Sequence, residues 1–509
     1  MMKPLALLSP LAAFVLAIGL TVAPGAAHAF CGFYVSGADG AVYNEATKVV
    51  LMRQGRRTVL SMQNAYQGPP QDFAMVVPVP VVLQETDVKT LPRAAFDRVD
   101  QLSAPRLVEY WEQDPCYRPQ RRHRRMRRMP SSAARPSAGA AAPSPRHGVV
   151  VEAEFAVGEY DIQILSARDS SGLDTWLREE NYNIPEGAGE VLRPYVAQGT
   201  KFFVAKVNVS RVTFEGGRAI LSPLRFHYDS DEFSLPVRLG LLNSNGTQDL
   251  IVHVLAPNQR YEVANYPNAF IPTNIRVRNR VRRHFGRFYA ALFDKTVRQN
   301  RGAVITEYSW QATSCDPCPT QPLSQTELTL FGLDVIGGAN GSGASGQMVL
   351  TRLHYRYDRE SLGDDLVFRP AEAVIGGRGM PNRAGRLEEQ RQRSSSNQFQ
   401  GRYVMLNWWP GAIACENPRR GIWGGPPNGR RPPAAAATNT AFIRRRRAPL
   451  ERWIRDDVPE INLRRYRPPA SAPPAPKPSG PVLGKLGGGG AVVLGSVFGL
   501  FLWKRRKAR

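Results

Sequence analysis

The sequence predicts an α+β fold built largely of antiparallel sheet, with a few packed helices. Short runs rich in Val, Ile, Phe and Tyr recur between residues 48 and 357, and turn residues separate them. A few segments instead repeat their apolar residues every three or four positions, as helices do. Strands and helices do not alternate in the regular order that a parallel sheet requires.

The first part of the body, residues 30–116, combines strands with a helical stretch. Its predicted strands are Lys48–Arg53, Arg57–Gln63 and Asp72–Val82. The apolar spacing of Leu91–Gln113 predicts helix. We expect Pro105 to break that stretch into two helices, because proline lacks the N–H that a helix interior needs.

The longer part of the body, residues 149–416, continues this pattern. Its predicted strands are Val149–Phe155, Asp161–Ala167, Phe202–Phe214, Ala219–His227, Leu250–Leu255, Leu328–Ile336 and Gln347–Tyr357. Gly216-Gly217 predicts a hairpin turn between two of them. Leu173–Tyr182 and Arg282–Arg301 predict helices, and the second carries a clear apolar face.

The N-terminus, residues 1–29, has the features of a secretory signal peptide. Lys3 precedes the uncharged apolar run Leu5–Leu20, and Ala27-His28-Ala29 offers small residues at the positions that signal peptidase requires. We therefore expect cleavage after Ala29 and export of the chain. An uncleaved membrane anchor is the alternative.

The C-terminus carries a second targeting element. Residues 486–503 contain no charge and are just long enough to cross a bilayer core of about 30 Å as a helix. The basic tail at 504–509 is expected to stay cytoplasmic, which places the body on the non-cytoplasmic side of a membrane. The alternative is that this end is a sorting signal, removed after export.

The net charge of +24 is concentrated in two low-complexity segments and the tail. Residues 117–148 hold nine Arg and no acidic residue, and they predict a disordered insertion. Residues 417–485 predict a Pro/Arg-rich spacer between body and membrane. These runs could bind an envelope polyanion or simply be solvated linkers, and an exported protein is not expected to meet nucleic acid. The body itself is nearly neutral.

All five cysteines follow the signal, so an oxidising compartment predicts disulfides. The candidates are Cys31, Cys116, Cys315, Cys318 and Cys415. We predict pairs between Cys31 and Cys116 and between Cys315 and Cys318, with Cys415 left over. The C-x-x-C spacing of the second pair also permits a thiol–disulfide enzyme, although the prolines around it indicate a loop.

Two further motifs have an ordinary explanation beside a functional one. Gly341–Gly346 matches the dinucleotide fingerprint, but a strand pattern follows it where that fingerprint needs a helix. We therefore interpret it as a hairpin loop. His227 stands near Asp229, Asp231 and Glu232, a cluster that could hold a divalent ion. An acidic turn is the default interpretation.

Several motifs together resemble a known bacterial family. They are Cys31–Val35, Asp72–Pro80, Phe233–Gly240 with Gln248–Leu250, Cys315–Pro319 and Arg352–Tyr357. Between Phe30 and Cys415 the chain is similar to the domain of unknown function numbered 2330, found in exported proteins of myxobacteria and their relatives. The resemblance implies export but no activity, and the insertion at 117–148 departs from the family core.

The sequence therefore predicts an exported, membrane-anchored ectodomain with a structural or binding role at the cell envelope. We assign no catalytic, cofactor-binding or metal-binding residue and expect no cofactor. The expected partners are the membrane, through the C-terminal helix, and an envelope polyanion or protein. Two alternatives remain open: an envelope enzyme that uses the Cys315/Cys318 thiols or a metal at His227, and a polyanion binder that uses the Arg-rich linkers.

Overall fold

The computed structural model describes most of the body of the chain. The described residues are 33–35, 43–44, 47–63, 66–67, 74–117, 147–180, 182, 184, 186–215, 218–243, 246–336, 347–388, 390–426, 435–436 and 449–467. The predicted signal peptide, the C-terminal helix and tail, the Gly341–Gly346 run, Cys31 and nearly all of the insertion at 117–148 lie outside them. Within these ranges no helix is both long and apolar enough to cross a bilayer.

Strands dominate the described chain up to residue 229. They are β1 (Phe33–Val35), β2 (Tyr43–Asn44), β3 (Thr47–Gln54), β4 (Arg57–Gln63), β5 (Tyr66–Gln67), β6 (Ala74–Val79), β7 (Val88–Thr90), β8 (Arg106–Glu112), β9 (Val149–Val157), β10 (Tyr160–Ala167), β11 (Lys201–Val207), β12 (Thr213–Glu215), β13 (Arg218–Ile220) and β14 (Leu224–Asp229).

The strands that follow are equally numerous but often short. They are β15 (Ser234–Leu235), β16 (Gln248–Pro257), β17 (Arg260–Val263), β18 (Asn268–Phe270), β19 (Ile275–Arg276), β20 (Val304–Gln311), β21 (Met348–Tyr357), β22 (Leu366–Ala371), β23 (Val374–Gly376), β24 (Gln392–Arg393), β25 (Gln398–Gln400), β26 (Arg402–Asn407), β27 (Trp423–Gly424) and β28 (Ala435–Ala436).

Few helices accompany these strands, and most are short. They are α1 (Arg93–Ser103), α2 (Ser170–Glu179), α3 (Ala188–Ala197), α4 (Phe285–Gln299), α5 (Gln325–Leu328), α6 (Asp334–Ile336) and α7 (Leu450–Trp453). A π-helical turn, Thr329–Leu333, joins α5 to α6. A mixed α+β fold that is mostly sheet is thereby confirmed.

A sheet of eleven strands forms the centre of the fold. Its order is β24-β23-β25-β20-β21-β16-β3-β4-β14-β7, and β18 also pairs with β20. The parallel pairs are β3–β16, β18–β20 and β23–β25, and the other pairs are antiparallel. β16 and β21 pair along their full lengths, from Gln248 opposite Tyr357 to Pro257 opposite Met348.

Alternation along the strands sends side chains to opposite faces of this sheet, and each face packs against a different layer. On β3, Val49 and Leu51 join a core with a second, antiparallel sheet of order β1-β6-β11-β10-β9. Val50 and Met52 instead pack with α1 and α5. Helices α2 and α3 cover the outer face of the second sheet. Two sheets therefore lie face to face between two helical layers.

A third sheet, of order β19-β26-β8-β27, forms a core of its own with α4. Its strands β8 and β26 run parallel, with Leu107 opposite Tyr403. Phe288 and Phe293 of α4 pack into this core, and so does the segment Leu450–Leu463. The helix is therefore buried between a sheet and a segment close to the C-terminus.

The predicted spacer at 417–485 needs correcting, because three described stretches of it fold onto the body. Strands β27 and β28 pair with β8, and the segment Leu450–Leu463 packs against α4. Ile454, Val458 and Ile461 are buried in the α4 core. Arg276 clamps Asp456 from the body side, with its Nε atom 2.9 Å from Oδ2. The apolar residues of this stretch recur every three or four positions, a signal that the surrounding Arg and Pro content obscured.

Most of the predicted elements lie where the sequence placed them, and two are wrong. The second half of the Leu91–Gln113 helix is strand β8, which Pro105 separates from α1. The predicted strand Leu328–Ile336 is helical, because Ser324 and Glu327 form a capping box that starts a helix there. Helix α3 and several strands, among them β20, β22 and β26, were not predicted.

A tight loop after β23 leads into Arg378, Gly379 and Met380, which line the smaller of the two clefts described below. Gly376 and Gly377 both have positive φ angles, of 152° and 74°. A Cβ atom on Gly377 would overlap the carbonyl oxygen of Gln400 and lie 2.6 Å from Thr273 Oγ1. Only glycine therefore allows the chain to approach β25 so closely.

We predict that Gly377→Ala lowers the free energy of unfolding much more than Gly379→Ala does. Both glycines have positive φ, so both substitutions introduce backbone strain of about 1–2 kcal/mol. Only the Gly377 position lacks room for a methyl group, because nothing lies within 4 Å of a Cβ atom at Gly379. The difference should be about 2 kcal/mol or more in urea denaturation, and equal losses would contradict the proposed steric limit.

Candidate functional site

The described residues contain two disulfides, and one of them is a predicted pair. Cys315 bonds Cys318 as expected. Cys116 bonds Cys415, 299 residues away, so the predicted Cys31–Cys116 pair is wrong and Cys415 is not the unpaired residue. The reason is topological: Cys116 and Cys415 follow the parallel neighbours β8 and β26, whose C-terminal ends lie side by side.

The Cys315–Cys318 disulfide lies in a loop that the body holds in place. Arg106 donates from Nη1 to the carbonyl of Pro317 at 3.0 Å, and Arg98 donates to the carbonyl of Gln321 at 2.8 Å. Cys318 is exposed and Cys315 is half-buried. The next helix, α5, begins only at Gln325, so this disulfide does not lie at a helix N-terminus as the C-x-x-C of thioredoxin-like enzymes does.

The acidic cluster around His227 consists of separate ion pairs. Arg57 binds Asp229 in a bidentate manner, at 2.7 and 2.9 Å, and these hydrogen bonds lower the pKa of that carboxyl. Arg56 pairs with Asp231 at 3.0 Å. The His227 ring contacts Asp87, on another element. No group of three or more metal-ligating side chains occurs among the described residues, here or elsewhere.

A chain of charged side chains crosses the interior of the body, and we call it the core ion network. Its members come from both central sheet and helices and are mostly buried. They are Lys48, Asp100, Asp249, Asp294, Glu307, Arg352, His354 and Arg356.

Arg352 lies at the centre of the network, on β21, with no exposed surface. Its Nε atom donates to Glu307 Oε2 at 2.6 Å, and its Nη1 atom donates to Asp100 of α1. Lys48 Nζ binds the other oxygen of Asp100 at 2.7 Å. His253, on the neighbouring strand, accepts from Arg352 Nη1 at 3.2 Å.

His354, two residues further along β21, extends the network on the same face. Its Nδ1 atom lies 2.8 Å from Glu307 Oε1, and its Nε2 atom lies 3.1 Å from Asp249 Oδ1. Phe293 of α4 stacks on the imidazole with ring centroids 3.7 Å apart. Arg356 continues the chain to Asp249 and, at 2.6 Å, to Asp294.

The charges of the network balance when His354 is protonated. Burial opposes the charge on His354, but Glu307 and Asp249 outweigh it and raise its pKa. Burial likewise opposes ionisation of Glu307, yet His354 and Arg352 lower its pKa to about 2. His253 stays neutral, because burial and the charge of Arg352 lower its pKa to about 3. Every charge has an opposite partner, as buried ions require.

Sequence reasoning placed His354 on a strand but missed the network around it. The available signal was His354 and Arg356 alternating with Leu353, Tyr355 and Tyr357, which puts two ionisable groups on one face of a buried strand. The network is interior, so its members bind one another rather than a ligand.

One surface depression is a cleft of about 760 Å³, which we call the arginine cleft. It lies where β17, β18 and β22 meet the loop before β24 and the segment Leu450–Leu463. The residues that bear on its chemistry are Arg260, Arg369, Arg391, Arg393, Glu262, Glu372, Glu460, Tyr266, Phe270, Pro267, Pro272 and Pro370.

Arg260 is the most constrained of the four arginines, with a side chain only 4% exposed. Its Nε atom donates to the carbonyl of Glu372 at 2.9 Å, and its Nη2 atom donates to Glu262 at 3.2 Å. The remaining Nη1 atom is buried without a hydrogen-bond partner. Burial, the largest cause, lowers the pKa of Arg260, and Arg391 adds to this effect.

Arg391 lies in the loop before β24 and brings a second guanidinium group to the cleft. Its guanidinium lies over the Phe270 ring at 4.5 Å from the centroid, and that of Arg260 lies 5.3 Å from the same centroid. Arg391 is exposed, and no ion pair joins it to an acidic residue among the described residues. Arg369 and Arg393, by contrast, pair with Glu262 and Glu372.

The near-neutral charge of the body concealed this cleft from sequence reasoning. The four arginines are spread over more than a hundred residues, and acidic side chains nearby cancel them in any count along the chain. Only the fold brings Arg260 and Arg391 to one aromatic ring.

A second, smaller cleft of about 590 Å³ borders the Cys315–Cys318 loop, and we call it the disulfide cleft. Asp316, between the two cysteines, contributes to its wall, together with Trp310, Met380 and Leu387. Met380 is half exposed. A partly exposed disulfide thus lies near a cleft of mixed lining, in which Arg378, Arg386 and Glu388 accompany the apolar side chains.

Comparison with known proteins gives one match. Residues 25–369 match the model of a family described as "Uncharacterized protein conserved in bacteria (DUF2330)". No curated protein and no solved structure matches the chain. The core ion network and the Cys315–Cys318 loop lie inside the matched span, whereas Arg391, Arg393 and Cys415 lie beyond it.

We predict that His354→Gln removes a loss of stability that the wild type shows at alkaline pH. The pKa of His354 is raised above 6.5 in the folded protein, so its contribution is complete below that pH and disappears as pH rises through the folded pKa. Urea denaturation at about pH 6 and about pH 9 measures the slope.

His227→Gln is the matched control for this experiment. Burial lowers the pKa of His227, so its contribution is lost toward acid, not toward alkali. That variant should keep the wild-type alkaline slope. If both variants keep it, His354 does not carry the charge that balances the network.

Proposed function

The chain belongs to the DUF2330 family of bacterial proteins, and from that premise we propose that it is an exported binding module of the cell envelope, tethered by its C-terminal segment. The observation that carries the binding role is the arginine cleft. Three of its guanidinium groups, those of Arg369, Arg391 and Arg393, are exposed, whereas the charges of the core ion network pair with one another inside the fold.

Two features support export. Residues 1–29 have the charge, apolar run and Ala27-His28-Ala29 site of a signal peptide. Four of the five cysteines form disulfides in the folded body, and one of these closes a loop of 299 residues. Disulfides of this kind persist in oxidising compartments and are rare in the cytosol.

The tether is supported by the order of segments along the chain. The described body ends near residue 467, and residues 486–503 form an uncharged apolar run followed by a basic tail. About twenty residues rich in Pro and Ala separate the two. Such a segment keeps the body close to the membrane yet outside it.

We predict that truncation after Gly480 moves the protein from the membrane fraction to the soluble exported fraction. Removal of residues 481–509 deletes the apolar run and leaves every described residue in place. Fractionation followed by immunoblotting checks this result. Replacement of the basic residues at 504–509 by Gln is the control, since it keeps the apolar run and should keep membrane association. A truncated chain that stays in the membrane would contradict the tether.

The disulfide cleft favours a second candidate, a thiol–disulfide enzyme. Exposed Cys318 is open to attack by a partner thiolate, which would form a mixed disulfide and release Cys315 as a thiolate. A second partner thiol then resolves the mixed disulfide, so that the partner is oxidised and the C-x-x-C pair is reduced. The disulfide cleft, with Trp310, Met380 and Leu387 in its lining, would hold the partner chain.

For this candidate we predict that the protein catalyses insulin reduction with dithiothreitol and that Cys315→Ser abolishes the catalysis. The double variant Cys116→Ser/Cys415→Ser also removes one disulfide but leaves the C-x-x-C loop, so it should retain activity. Turbidity of the precipitating insulin B chain measures the rate. No acceleration by the wild type over dithiothreitol alone would end the enzymatic candidate.

A further inference from the structure

We infer that the arginine cleft binds a peptide through a single carboxylate, held by the guanidinium groups of Arg260 and Arg391 at Phe270. This inference deepens the proposed binding function and depends on it. It names the class of ligand, the group that anchors the ligand and the single negative charge that this group carries.

Arg260 contributes a guanidinium group that the fold holds in place. Two of its donor atoms are fixed by the Glu372 carbonyl and the Glu262 carboxylate, so the guanidinium is held in one orientation. Its Nη1 atom has no acceptor. A buried N–H without a partner destabilises the fold, and an oxygen brought by a ligand would satisfy it. The charge on the donor makes that hydrogen bond stronger than a neutral one.

Arg391 contributes the second guanidinium group. It reaches the same aromatic ring from the loop before β24, and its charge lowers the pKa of Arg260. The two guanidinium groups carry like charges that repel, and an anion bound to both relieves the repulsion. Arg391 is exposed, so a ligand reaches it without displacing an ion pair within the described residues.

The acidic side chains of the cleft restrict the charge of the ligand. Four arginines and three glutamates line it, namely Arg260, Arg369, Arg391, Arg393, Glu262, Glu372 and Glu460. The excess of one arginine over the glutamates gives the cleft a net charge of +1. Arg369 and Arg393 are paired with Glu262 and Glu372. One carboxylate neutralises that charge, whereas a phosphate dianion would face the glutamates with charge to spare.

The rest of the lining suits a peptide beside that carboxylate. Phe270 and Tyr266 offer aromatic faces, and Pro267, Pro272 and Pro370 add rigid apolar surface. A volume of about 760 Å³ lies in the range of about 300–1,000 Å³ typical of small-ligand sites. A short peptide segment with one apolar side chain next to its carboxylate fills such a space.

The test uses four probes with one aromatic ring each, titrated calorimetrically into the full-length protein. N-acetyl-phenylalanyl-alanine carries a terminal carboxylate, and N-acetyl-phenylalanyl-glutamate amide carries a side-chain carboxylate. N-acetyl-phenylalanyl-glutamine amide is neutral, and phenyl phosphate is a dianion. We expect saturable binding of at least one carboxylate probe, and the tighter of the two identifies the source of the carboxylate. The neutral probe and phenyl phosphate should bind at least about tenfold more weakly.

Arg391→Gln should weaken the better carboxylate probe by about tenfold or more, because one charge-assisted contact is lost. Arg287→Gln is the matched control, since Arg287 is an exposed arginine of α4 outside the cleft. It should bind as the wild type does. Equal affinity of the Arg391→Gln variant and the wild type would overturn the assignment. So would equal binding of the neutral probe, tighter binding of phenyl phosphate, or no saturable binding of any probe.

The outcome is separable from that of the proposed function. Truncation and fractionation report on export and tethering, and they do not involve the cleft. An exported, tethered protein that binds none of the probes would remove the ligand assigned to the cleft and leave export and tethering in place. A protein that binds the carboxylate but is found in the cytosol would remove the proposed location alone.

Discussion

The ion pairs of Arg352 with Asp100 and Glu307 are the constraint on which the rest of the body depends. They join α1, β20 and β21 at a point with no exposed side-chain surface. Water cannot screen or replace these contacts, so loss of one partner leaves an uncompensated buried charge, at a cost of about 3–5 kcal/mol. The position of α1 on the central sheet is therefore fixed electrostatically as well as by packing.

The two faces of the central sheet differ because of this network. Leu353, Tyr355 and Tyr357 point into an apolar core against the second sheet. Arg352, His354 and Arg356 alternate with them and point toward α1 and α4. An apolar interface tolerates sliding better than a set of directed ion pairs does, so the polar face specifies the register of helix against sheet. Such specificity, rather than net stability, is the best-attested role of buried ion pairs.

Sequence reasoning found the elements whose signals are local and missed those that depend on partners distant in the chain. Strands β3, β4, β10 and β21 and helix α4 follow from alternation and apolar spacing. Strand β8 was taken for helix, because its Leu107, Tyr110 and Trp111 satisfy a helical spacing and only the pairing with β26 decides otherwise. The Cys116–Cys415 bond, the core ion network and the arginine cleft all join residues that lie far apart in the sequence, and no local pattern contains that information.

The distribution of charge explains why the overall excess of basic residues is a poor guide to function here. Most of the +24 comes from low-complexity stretches of the sequence and from its basic tail, and basic runs of that kind attract polyanions through counterion release without a defined fold. Within the body, charges are nearly balanced, and many arginines, Arg352 and Arg356 among them, are paired with a carboxylate. A guanidinium becomes selective when the fold holds it rigid, removes it from water and leaves one donor unsatisfied. Arg260 meets all three conditions at the wall of a cleft, whereas Arg352, which also has a buried donor without an acceptor, lies inside the core ion network. Selectivity in this protein should therefore follow the donors that the fold leaves without an acceptor beside a cleft.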